Sequence, residues 1–153
     1  MKSLAAALYG TALTLWIGGL WVIGCVVAPT LFHALADRQL AGAIAGRLFS
    51  LIAYIGIVCA AYLLLYRMLR FGGSSLRQGI FWIVLGMLVI TLAGEFWVQP
   101  ILAGLKDQAL PREVMASVFR DRFAAWHGVA SVLYLVQCVL GLLLVWQQGR
   151  DPR

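Results

Sequence analysis

Four long apolar stretches constrain this chain more than any other feature of its sequence. They span about residues 4–28, 46–67, 79–103 and 118–147. A helix needs about 20 predominantly apolar residues to cross the hydrocarbon core of a bilayer, and each stretch has that length. A membrane barrel would instead show apolar and polar residues in alternation. We therefore predict an all-α integral membrane protein, a single four-helix bundle over residues 1–153 with antiparallel up-down helices.

Composition agrees with a membrane location and argues against a nucleic-acid partner. Hydrophobic residues make up 63% of the chain and charged residues 12%, against about 45–50% and 25% in soluble domains. The net charge of +6 results from 12 Lys and Arg against 6 Asp and Glu. The basic residues lie mostly between the apolar stretches, where such residues anchor helices. No basic run is interleaved with aromatic residues, as nucleic-acid binding would favour. Lipid is thus the expected partner.

Prolines associated with two of the stretches predict irregular helices. Pro29 lies just past the first apolar stretch, and Pro100 lies within the third. Each lacks a backbone N–H and crowds the carbonyl four residues earlier. We therefore predict kinks in helices one and three, near Cys25 and Phe96.

Small residues predict where helices approach closely and where the chain turns. Gly42 and Gly46 form a small-xxx-small pair at the start of helix two, and Ala41 and Ala45 repeat the spacing. Such small residues pack within the chain or form the seam of a homo-oligomer. The run from Arg70 to Ser75 contains two glycines and two serines, and it predicts a tight turn between helices two and three.

Ionisable side chains within membrane spans are energetically expensive and therefore indicate function. His33, Glu95 and His127 lie in or beside apolar stretches, and the up-down arrangement places all three at one membrane face. Asp37 lies four residues after His33, so it would share a helical face with that histidine and orient it. The candidate ligand-binding residues at this face are His33, Arg47, Glu95, Gln99, Arg122 and His127.

The candidate site allows several chemistries and names no reaction. His33 and His127 could supply the two axial ligands of a haem b from different helices, and copper could use a histidine together with Cys25. The sequence has no Ser-His-Asp set and no phosphate-binding loop, so we expect a binding protein rather than an enzyme. Two alternatives stay open: an oligomeric transport protein, and a structural or assembly partner without a ligand. No charged residue lies in the middle of a span, which disfavours ion transport.

Short motifs throughout the chain resemble a known family. They occupy residues 15–19, 28–32, 41–49 and 123–130, with Pro100 and a His127-Gly128 pair. These motifs resemble bacterial membrane proteins of unknown function that are related to human transmembrane protein 205. More remotely they are similar to copper-resistance D proteins and to a haem-binding protoporphyrinogen oxidase. The resemblance implies an inner-membrane protein with metal or haem at a histidine pair and quinone-linked redox chemistry. The residues assigned structural roles are Pro29, Gly42, Gly46, Pro100 and Gly128.

The distribution of positive charge gives the orientation. Four spans place both termini and the hairpin between helices two and three on the same side, and the 12 Lys and Arg divide equally between the two sides. The short hairpin carries Arg67, Arg70 and Arg77 with no acidic residue. Because short cytoplasmic loops are enriched in Lys and Arg, we expect cytoplasmic termini.

Overall fold

A computed structural model describes residues 2–109 and 116–150, with side chains for 4–105 and 121–149, and this part of the chain forms helices and short turns without strands. Helix α1 covers residues 2–34, as Lys2–Val22, a π-helical turn at Ile23–Val27 and Ala28–Ala34. Helix α2 is Arg38–Phe71. Helix α3 covers residues 79–109, as Gly79–Ala93, a π-helical turn at Gly94–Val98 and Gln99–Ala109. Helix α4 is Ala116–Arg150.

The outward surfaces of the helices suit lipid. All four helices are long and apolar enough to cross a membrane, and only 17–28% of the residues in their most apolar windows are buried inside the bundle. Large apolar side chains such as Val58, Leu69 and Trp97 are 69%, 79% and 75% exposed. Water would disfavour so much exposed apolar surface, whereas lipid does not. The prediction of four membrane-capable helices in an all-α chain is therefore confirmed.

Contacts between the helices show which parts lie side by side. Each helix contacts the next in sequence, and α1 also contacts α4. The hydroxyl of Tyr62 donates to the Ala5 carbonyl over 3.0 Å, so the end of α2 lies beside the start of α1. A side chain added at Gly79, at the start of α3, would contact Gln147 near the end of α4. The start of α3 therefore lies near the end of α4.

A dense apolar core fills the bundle around Trp16, which is completely buried. Helix α2 comes so close to Trp16 that a Cβ at Gly56 would overlap the indole ring, and a Cβ at Gly19 would overlap Ile52. The core cluster consists of Tyr9, Leu13, Trp16, Ile17, Leu20, Ile52, Cys59, Ala60, Leu63, Ile80, Val84, Met87, Cys138 and Leu144.

Both π-helical turns fall at the predicted kink positions. The N–H of Ala28 bonds to the carbonyl of Ile23, and the N–H of Gln99 bonds to that of Gly94, each five residues earlier. This wider turn comes just before each proline, where a regular helix would lose a hydrogen bond. It lets α1 continue past Pro29 to Ala34. The backbone irregularity is where the sequence predicts it, while a bend of the helix axis stays a prediction.

The turn between α2 and α3 is tight, as predicted. It is a 3-10 helix at Gly72–Arg77. Gly72 adopts a positive φ of 55°, which a glycine accepts without steric strain. Its N–H bonds to the carbonyl of Met68 and so closes the end of α2.

At the start of α2, the small residues that pack closely each lie one position before a glycine of the predicted pair. Ala41 and Ala45 are 0% and 5% exposed. A Cβ at Gly42 would only touch Phe32, and one at Gly46 would meet open space. The small residues therefore do pack within the chain, through the alanines, and a homo-oligomer seam stays a prediction.

Replacing Gly56 with Ala should destabilise the bundle, because the new methyl group overlaps the rigid ring of Trp16. Overpacking of this kind costs about 1–3 kcal/mol. Gly18→Ala is the matched control, since its Cβ meets no atom within 4 Å and alanine favours a helix by about 1 kcal/mol. Thermal unfolding in detergent compares the two variants. Equal melting temperatures would contradict the close approach of α2 to Trp16.

Candidate functional site

The six candidate residues lie on all four helices. His33 is in the last turn of α1, Arg47 is near the start of α2, and Glu95 lies in the π-helical turn of α3. Gln99 follows that turn, while Arg122 and His127 lie in the first half of α4. The side chains of Glu95 and Gln99 are half-buried, and the other four are exposed: His33, Arg47, Arg122 and His127.

These side chains do not form a preassembled cluster. Over residues 4–105 and 121–149, none of the six donates to or forms an ion pair with another of the six. The same residues contain no group of three or more His, Cys, Asp or Glu that could hold a metal ion. Among these described residues, the structure thus places four of the candidates at exposed positions and two at half-buried ones, and it brings no metal-binding set together.

His127 has the best-defined surroundings of the six. Its ring stacks on Phe123 one turn earlier, with centroids 5.9 Å apart and planes at 8°. Its backbone carbonyl accepts the hydroxyl of Ser131 over 2.8 Å. The aromatic neighbour therefore restricts the orientation of the imidazole, and the residue as a whole is exposed.

The Asp37 side chain accepts hydrogen bonds from backbone N–H groups and does not lie on the helical face of His33. Helix α1 ends at Ala34, and Leu35 is extended. The Oδ1 atom of Asp37 accepts the N–H groups of Gln39 and Leu40 over 2.8 and 3.2 Å, which caps the start of α2. The expectation that Asp37 shares a helical face with His33 is therefore wrong, because the helix stops between them.

Tyr134 links three helices next to the π-helical turn of α1. Its hydroxyl donates to the Leu20 carbonyl over 2.5 Å. Its ring meets Phe49 of α2 edge-to-face, with centroids 4.9 Å apart. A Cβ at Gly24 would contact the same ring, so glycine is the residue that lets α1 approach. The tyrosine therefore joins α4 to both α1 and α2.

Three threonine hydroxyls along the spans bond within their own helices. Thr11, Thr14 and Thr91 each donate to the carbonyl four residues earlier, over 2.8–3.1 Å. Only Thr91 is buried, and its hydroxyl also accepts from Gln137 Nε2 over 2.5 Å. This pair joins α3 to α4 inside the bundle.

Sequence reasoning missed a polar cluster at the opposite end, around Arg67. This side chain is only 4% exposed, although flanking arginines normally lie in the headgroup region. Its guanidinium donates to Gln78 Oε1 and approaches the Tyr9 hydroxyl at 3.5 Å. The signal was present in the spacing: Arg67 follows Leu63 by four residues and therefore continues the buried face of α2.

The fold and these polar surfaces define a class, small multi-pass membrane-type helical proteins. Within it, the protein-family model described as "Domain of unknown function (DUF4149)" matches residues 11–111, and the chain belongs to that family. No curated protein and no solved structure matches the chain significantly. Nothing in these comparisons links it to transmembrane protein 205 or to copper-resistance D proteins, so that resemblance stays a prediction.

The family match divides the candidate residues into two groups. It includes α1 from residue 11 onwards, α2, and α3 up to residue 109, and with them His33, Arg47, Glu95 and Gln99. Arg122 and His127 on α4 lie beyond it. The two histidines therefore need to be tested separately.

Tyr134→Phe should lower the free energy of unfolding by about 0.5–1.5 kcal/mol, because it removes one partly buried hydrogen bond and keeps the ring. Tyr54→Phe is the control, since Tyr54 is 52% exposed and its loss of a hydroxyl should have little effect. Unfolding in a mixed detergent series, followed by circular dichroism, measures both. If Tyr134→Phe is as stable as Tyr54→Phe, the bond to Leu20 does not hold α4 in place.

Proposed function

We propose that this chain is a multi-pass membrane protein that binds a small ligand at the end of the bundle carrying the six candidate residues. The supporting observation is that four basic side chains on three helices are exposed: His33, Arg47, Arg122 and His127. Polar side chains at a membrane face that do not hold the fold together are available to a ligand. The family carries no assigned activity, and we propose binding without a reaction.

Haem b is the ligand that the donor chemistry favours over a bare metal ion. A bare ion such as zinc usually takes three or four protein ligands, and the described residues bring no such group together. A haem brings four nitrogen donors and needs only one or two axial ligands, which His127 would supply alone or with His33. Arg47 and Arg122 suit the propionates, since guanidinium groups pair well with carboxylates. Bound haem would supply a redox-active iron.

Two other functions receive less support. Transport through one chain is disfavoured by the apolar core around Trp16 and by hydroxyls bonded within their own helices. A ligand-free assembly role would need a partner surface, and the exposed faces of the helices are equally explained by lipid. Ligand binding at the polar end therefore remains the proposal.

His127→Ala should abolish the Soret band of the protein purified in mild detergent from haem-sufficient cells, because it removes an axial nitrogen. His33→Ala should abolish or shift the band if both histidines bind the iron. Ser131→Ala is the control, since it lies one turn from His127 and its hydroxyl bonds within α4. Absorption spectra and iron analysis on the same samples provide the measurement.

The outcomes separate the possibilities cleanly. A band that survives in both histidine variants would show that the haem lies elsewhere on the protein. A colourless, metal-free wild-type protein would overturn haem and copper together and leave an organic ligand as the form of the proposal to test. Circular dichroism confirms in each case that helicity is unchanged.

We further propose that the helices run antiparallel in a bacterial inner membrane, with both termini and the α2–α3 hairpin in the cytoplasm. The contacts of α1 with α2 and of α3 with α4 support the antiparallel order. The basic hairpin supports the orientation.

Cysteines placed at Ser74 and Gln39 should therefore react from opposite sides of the membrane. Ser74 lies in the turn and Gln39 at the start of α2, and both side chains are exposed. In intact cells, an impermeant maleimide should label Gln39→Cys and not Ser74→Cys. The reverse pattern would invert the orientation, and labelling of both from outside would contradict the crossing of the membrane by α2.

A further inference from the structure

The α2–α3 hairpin carries charge of one sign only. Residues 48–94 contain Arg67, Arg70 and Arg77 and no Asp or Glu. Five of the six acidic residues of the chain lie in residues 37–47 and 95–122, and the sixth is Asp151. The contact of Tyr62 with Ala5 and the proximity of Gly79 to Gln147 place this hairpin beside the start of α1 and the end of α4. It is the basic end of the bundle.

Arg70 is exposed but held in a fixed position. Its Nη1 atom donates to the Tyr66 hydroxyl over 2.6 Å. Its guanidinium lies 5.9 Å from the ring centroid of Tyr66 and 5.4 Å from that of Phe71. A guanidinium has five N–H donors in a planar fork that fits a phosphate. Aromatic contacts therefore orient Arg70 while leaving most of its donors for a ligand.

Arg67 stabilises the hairpin from its buried side. Its guanidinium lies 5.3 Å from the centroid of Phe71, so two arginines contact one aromatic ring. Its hydrogen bond to Gln78 joins the end of α2 to the residue just before α3. The bond fixes both sides of the turn, and the buried positive charge raises the local potential for an anion.

The hairpin also exposes apolar and aromatic side chains, called its rim below. Such a rim suits a lipid more than a soluble phosphate compound. Phe71, Leu76 and Trp82 are 38%, 47% and 58% exposed. The indole N–H of Trp82 bonds to the Leu76 carbonyl over 2.9 Å, and tryptophans of this kind are enriched where membrane meets water. Arg77, which ends the 3-10 turn, is also exposed. Acyl chains can therefore pack on the rim while a headgroup meets the arginines.

We infer that the hairpin binds the phosphate of an anionic phospholipid. Arg70 and Arg77 donate to the headgroup, Arg67 holds the turn in shape, and the aromatic rim contacts the acyl chains. Basic residues next to a span attract anionic lipids by about 1 kcal/mol each, which corresponds to about fivefold in affinity. This site lies at the opposite end from the proposed ligand site and does not depend on it.

The experiment measures lipid retention by the full-length protein. Protein in detergent is given equal amounts of phosphatidylglycerol and phosphatidylcholine, and bound lipids are counted by native mass spectrometry. Wild type should retain phosphatidylglycerol preferentially. Arg70→Gln and Arg77→Gln should each reduce that preference about fivefold. Arg38→Gln, the same change at an exposed arginine of the opposite end, should leave it unchanged.

Every result decides for or against the site. No preference in wild type, or an equal loss in Arg38→Gln, would overturn it, the latter because net charge alone would explain the effect. Excess inorganic phosphate that raises the melting temperature as much as phosphatidylglycerol does would identify a free phosphate as the ligand and overturn the lipid. If a glutamine variant fails to fold, Arg70→Lys keeps the charge without the planar fork and should show a smaller loss of preference.

Discussion

Backbone hydrogen bonding in a medium without water is the constraint on which the rest of this structure depends. Within lipid, each peptide N–H and C=O has to find its partner inside the protein. Long helices satisfy this requirement almost completely, and prolines are where it fails. The π-helical turns before Pro29 and Pro100 re-route hydrogen bonds to carbonyls five residues earlier. The fold can therefore keep two prolines in its helices without ending either helix.

Most of the fold could be predicted from the sequence because apolar length alone determines the helices. The four spans, the hairpin turn and the irregular sites at Cys25 and Phe96 follow from residue type and position. The end of α1 could not be placed, since a proline stops a helix or is accommodated depending on packing. The close contact at Gly56 was equally hidden, because it depends on which residue of α1 faces it.

The candidate site shows which features of a binding site residue spacing can predict. The up-down topology predicts which residues lie at each end of the bundle. It assigns His33, Glu95 and His127 to the same end without coordinates. Side-chain exposure does not follow, because it depends on the rotation of each helix against its neighbours. The burial of Arg67 was missed for the same reason. Its charge suggests a surface anchor, whereas its position on the buried face of α2 decides the outcome.

The spacing of Arg47 and Arg67 on α2 makes this helix sensitive to the thickness of the membrane. The apolar interval between them is 19 residues long, or about 28 Å of helix, close to the roughly 30 Å of an average hydrocarbon core. An exposed arginine can extend towards water when a bilayer is too thick. Arg67 is tied to Gln78 and lacks that freedom. A thicker bilayer would therefore be accommodated by extension of the exposed Arg47 at the other end of α2 or by thinning around the hairpin, and such hydrophobic mismatch sorts proteins between membranes of different thickness.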